Sequence, residues 1–125
     1  DVLDNCEAVI LAVVPQKAEE ILSQLSFRKD HKVISLIPVL GLEKIGQIIG
    51  ETAILVDVLP LPFIRQRIGP VVINPPCKEM EDLIRPLGDL IALEDKTVPS
   101  VMKHFKANYA GAVDMREVQE VLRSI

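Results

Sequence analysis

Aromatic residues are scarce in this chain: one Tyr, three Phe and no Trp, or 3% of 125 residues. A platform that stacks the bases of a single strand needs several such rings, so that class of binder is disfavoured. A basic surface is missing as well. Fourteen Lys and Arg stand against eighteen Asp and Glu, the formal net charge is −4, and the cations do not cluster, which argues against a nucleic-acid partner. No apolar run approaches the roughly 20 residues that cross a bilayer as a helix, so no membrane partner is expected. The two cysteines, Cys6 and Cys77, are far apart, and no Cys or His stands at metal-ligand spacing, so no metal is expected. Nothing resembles a signal peptide, and both cysteines read as free thiols of a reducing cytoplasm. A Gly-x-Gly-x-x-Gly turn, which brings backbone N–H groups to a pyrophosphate, occurs nowhere among the six glycines. Internal repeats and low-complexity tracts are absent too.

What is present is a set of short, unalternating apolar segments, each meeting a proline. Ala8-Val9-Ile10-Leu11-Ala12-Val13-Val14 runs into Pro15-Gln16, and Val33-Ile34-Ser35-Leu36-Ile37 into Pro38. Ala53-Ile54-Leu55-Val56-Asp57-Val58-Leu59 ends at Pro60, and Val71-Val72-Ile73-Asn74 at Pro75-Pro76. Unalternating runs of this length suit strands covered on both faces, as in parallel sheets, and proline ends each by withholding an N–H from the ladder. Side by side and parallel, such strands share one carboxyl edge, where open α/β sheets bind ligands. A fifth short strand is expected at Leu90-Ile91-Ala92-Leu93.

Helical patterns lie between the strands. Residues 16–25 place Ala18, Ile21, Leu22 and Leu25 on one stripe, and residues 42–49 do the same with Leu42, Ile45, Ile48 and Ile49 before Gly50. Residues 78–87 carry Met80, Leu83, Ile84 and Leu87 at helical spacing and end at Gly88, although Pro86 in the last turn conflicts with that pattern. Beyond Asp95 the texture becomes purely helical, with Thr97 as an N-cap and apolar stripes through Val98, Val101, Met102 and Phe105 and through Met115, Val118, Leu122 and Ile125. The fold expected is α/β: a partial Rossmann-type open, mainly parallel sheet flanked by helices over residues 1–95, then a short all-helical segment over 96–125. A buried central strand one turn from Asp1 is abrupt, which predicts further structure in front of it.

The residues resemble those of a known family. Ile10-Leu11-Ala12-Val13-Val14-Pro15-Gln16 is similar to the strand ending Ala-Val-Lys-Pro-Gln of pyrroline-5-carboxylate reductases, and Val33-Ile34-Ser35 to their next strand, which ends in Ile-Ser. Leu59-Pro60 stands where that family has a Met-Pro step, and residues 87–95 resemble the end of its nucleotide-binding domain. The likeness covers roughly residues 4–95. It implies a reductase that passes hydride from NADP or NAD in reduced form to a small-molecule imine, 1-pyrroline-5-carboxylate, giving proline. It further implies that Ala12, Val13, Val14 and Pro15 line the cofactor and that Pro60 borders the nicotinamide. No catalytic residue is assigned.

The departures are specific. Val14 replaces the family lysine, Leu61 the asparagine after Met-Pro, and Leu36-Ile37-Pro38 the Ala-Ala-Gly after Ile-Ser. The N-terminal Gly-rich βαβ start is missing, and so is the Ser-Gly-Ser-Gly-Pro-Ala-Tyr helix of the C-terminal dimerisation domain, which Tyr109-Ala110-Gly111-Ala112 does not match. An unaccompanied apolar first strand predicts a homo-oligomer or a covering segment. The alternative is a non-catalytic Rossmann-like binding or regulatory module that has lost dinucleotide binding. Isolated His31 and His104 read as surface residues, and Glu19-Glu20 and Glu94-Asp95 as solvated ends. Arg65 and Arg67 read either as solvated charge or as partners of a carboxylate or phosphate.

Overall fold

The structure, a computed structural model, describes residues 2–37, 39–60, 62–67 and 70–93, together with 103, 116 and 119. The strands are β1 (Ala8–Leu11), β2 (Lys32–Ser35), β3 (Ile54–Pro60), β4 (Pro70–Asn74) and β5 (Asp89–Ala92), and the helices α1 (Pro15–Ser23), α2 (Leu42–Ile49) and α3 (Lys78–Ile84). The strands form one sheet in the order β1-β2-β3-β4-β5, mixed but mainly parallel and flanked by the three helices. The chain divides into two compact units, Asp1–Val58 and Leu59–Ile125.

In the first unit β1, β2 and β3 are parallel, with Leu11 opposite Ser35 and Ser35 opposite Asp57, so their carboxyl ends face one way. Parallel neighbours need a long crossover, which α1 and α2 provide. Ala18 and Leu22 on α1 and Ile45 and Ile49 on α2 pack with Val9, Leu11, Val33 and Ile37 into one core. Each fully buried aliphatic side chain of this kind contributes about 1.5–3 kcal/mol. Glu19 on α1 and Lys44 on α2 form an ion pair over that layer. Gly50 stops α2 at φ 81°, a left-handed conformation that a side chain resists.

Two expectations for this unit need correction. The first strand is shorter than the apolar run, ending at Leu11, and it is not covered on both faces: Val9 and Leu11 are buried while Ala8 and Ile10 are exposed, Ile10 at 57%. β1 is the first strand in the sheet order, and only its inner face meets the α1 and α2 layer; in the same register row Ile34 and Val56 are buried. His31 is not a surface residue either. It is 0% exposed. Its Nδ1 accepts the Arg28 backbone N–H at 3.0 Å, so Nε2 carries the proton and donates to the Leu3 carbonyl at 2.9 Å. Arg28 adds Nη1 to Leu3 O at 2.6 Å and Nη2 to Cys6 O at 2.9 Å, and Phe27 meets the imidazole edge-on at 6.0 Å. Together they fasten the segment before β1 to the amino end of the sheet.

In the second unit β4 and β5 are parallel, and β4 is buried from Pro70 to Ile73. The helix expected over 78–87 is α only to Ile84 and tightens to a 3₁₀ turn over Arg85–Leu87, because Pro86 has no N–H for an α-helical bond. Met80 and Ile84 face inward, but Leu83 and Leu87 are exposed, so the inward stripe is half as wide as the spacing predicts. Cys6 and Cys77 are free thiols, one in each unit. Lys103, Arg116 and Gln119 are helical, and the remaining residues of the expected C-terminal helices, with His104 and Glu94-Asp95, lie outside the described residues.

Candidate functional site

The carboxyl end of β1 is built by three residues without secondary structure, Ala12, Val13 and Val14, and by Pro15 at the first position of α1. Leu36 N–H donates to Leu11 O at 2.9 Å, carrying the β1–β2 ladder one step past the strands and setting the start of this turn beside the exit of β2. Val14 is extended (φ −65°, ψ 137°) and serves as N-cap with no side-chain acceptor. Its carbonyl takes the Lys17 N–H at 3.1 Å, and Pro15 has no N–H to offer, so the mouth of α1 is poor in donors. Ala12 and Pro15 are exposed, Val13 is half-buried, and Val14 is 58% exposed.

The exit of β2 contributes a second exposed valine, Val39 at 52%, in a turn closed by Leu40 N–H to Ile37 O at 3.1 Å. Sequence reasoning overlooked Val39, because it sits in an apolar run from Leu36 to Leu40 where no periodicity marks it. The chain can turn there because Ser35 Oγ accepts the Ile37 N–H at 3.1 Å. Ser35 is buried, and its register partner Asp57 is 2% exposed, so a polar pair lies on the row of Leu11 just beneath this edge. The one signal for Asp57 was a charge inside an otherwise apolar strand.

At the carboxyl ends of β1 and β2 the first unit therefore presents an apolar ledge of Ala12 to Pro15 with Val14 and Val39 exposed, where the Leu11, Val14 and Ile37 carbonyls each accept a backbone N–H and Lys17 is exposed in the first turn of α1. Such a ledge suits the face of an uncharged planar ring. No glycine-rich loop stands at this turn, and the nearest cation in sequence is Lys17 in the first turn of α1. Pro60 is the last residue of β3 and belongs to the second unit, while Pro38 and Leu61 lie outside the described residues. Arg65 is exposed in a 3₁₀ turn, and Arg67 is exposed at φ 57°. Among the described residues no group of His, Cys, Asp and Glu has the arrangement of a metal site.

Mainly parallel strands with helical crossovers give the chain a Rossmann-like α/β fold. That fold is similar to part of the fold of pyrroline-5-carboxylate reductases. Over 98% of its length the chain superposes on 55% of the 1-pyrroline-5-carboxylate reductase of Streptococcus pyogenes, with a TM-score of 0.65 and 17% identity. The pyrroline carboxylate reductase of Plasmodium falciparum, solved with NADP bound, gives 0.63 and 17% over 95% of this chain and 55% of that one. That of Coxiella burnetii gives 0.58 and 20% over 96% and 54%. The chain thus spans about half the length of these reductases. No protein-family model matches the sequence, and no curated protein matches it.

Proposed function

We propose that residues 1–125 are part of an NAD(P)H-dependent reductase of an imine, most specifically 1-pyrroline-5-carboxylate, forming proline. The observation that carries this reading is the apolar ledge of Ala12, Val13 and Val14 at the carboxyl end of a parallel β1, in a chain whose fold is similar to part of the reductase fold. Bound there, reduced nicotinamide would supply the hydride that adds to the carbon of the C=N bond, the π pair going to a nitrogen that takes a proton from water and the cofactor leaving oxidised. The chain's own share would be an apolar surface: Ala12 has no side chain beyond Cβ to obstruct a ring, and the exposed Val14 and Pro15 would lie against it and keep water out. Pro60 joins this set through the resemblance alone. The pyrophosphate, with no cradle in these residues, calls for a strand with a glycine-rich turn beside β1, from outside residues 1–125. The remaining parts of the proposal are a cytoplasmic homo-oligomer acting on a small molecule, with no nucleic acid or membrane. Among the described residues no helix is long and apolar enough to cross a membrane.

The test is NADPH consumption by the gene product containing residues 1–125, with and without 1-pyrroline-5-carboxylate, with proline measured as product. Imine-dependent consumption with matching proline supports the reading. Tight NADPH binding without turnover on any cyclic imine limits it to the cofactor. No dinucleotide binding by the intact gene product favours the non-catalytic module, which Val14 and Leu61 in place of polar residues also suit.

A further inference from the structure

We draw no further inference here: the strongest candidate, the outer edge of β1 where Ala8, Ile10 and Ala12 turn their backbone groups away from β2, belongs to the cofactor-site reading already proposed, and nothing in the structure shows what covers it.

Discussion

Replacing His31 with alanine is expected to destabilise the protein by about 2–4 kcal/mol, a large effect for a histidine that the sequence places in a polar loop. The ring is fully buried and makes two hydrogen bonds, accepting from the Arg28 N–H at 3.0 Å and donating to Leu3 O at 2.9 Å. Each bond contributes about 1 kcal/mol, and losing the acceptor leaves the Arg28 amide without its partner at a further cost of about 1 kcal/mol. Leu3 O is less affected, because Arg28 Nη1 also donates to it. The void left by the imidazole adds roughly 1 kcal/mol once its surroundings relax. Against a total stability of about 5–15 kcal/mol, such a loss lowers the urea midpoint by about 1–2 M. Equilibrium urea unfolding of the wild type and His31→Ala, followed by far-UV circular dichroism, measures it. A difference below about 0.5 kcal/mol would return His31 to the surface and refute the account of how the segment before β1 is held.

Three other expectations rest on separate parts of the structure. Within residues 1–125, Ile10→Lys, at an exposed position, should cost far less stability than Ile34→Lys, in the same register row but fully buried, which should prevent folding; equal effects in thermal unfolding would contradict the register and the exposure of β1. Gly46→Ala should stabilise by about 0.5–1 kcal/mol, since it lies inside α2 and the added Cβ meets Leu55 at an ordinary 3.7 Å, while Gly50→Ala should destabilise by about 1 kcal/mol through its φ of 81°; the same sign for both would overturn this. The Asp30 carboxyl should titrate below its ordinary 3.8, because Arg28 Nε donates to its carboxylate; the contact is complete above that value and is lost as pH falls through the lowered one, and a side-chain NMR titration midpoint at or above 3.8 would rule the contact out.

Legibility in the sequence follows from what each signal depends on. The helix over 42–49 and its glycine stop were readable to the residue, because amphipathic spacing and a left-handed Gly50 are local properties. The parallel pairing of the first three strands was inferred from unalternating apolar runs, and the register confirms it. The same rule misled at residues 8–14: hydrophobicity records what a strand is able to bury, and exposure at Ile10 depends on which neighbours the sheet provides. His31 was misread for a related reason. Its partners are 3 and 28 positions away, and the longer contact, to Leu3, leaves no periodic trace. At the ledge, Ala12 to Pro15 stood out through the proline that ends the run. Val39, Ser35 and Asp57 came together only through strand register, which sequence spacing does not encode.

The measurement that bears most directly on the proposed cofactor ledge is an amide chemical-shift map of the NADPH-bound gene product containing residues 1–125. The largest changes in this part of the protein are expected at Ala12, Val13, Val14 and Gln16, with Val39 affected as the second exposed valine at the strand exits. Saturable NADPH binding that leaves all five amides unmoved would contradict the account, because the dinucleotide would then be resting somewhere other than the carboxyl ends of β1 and β2.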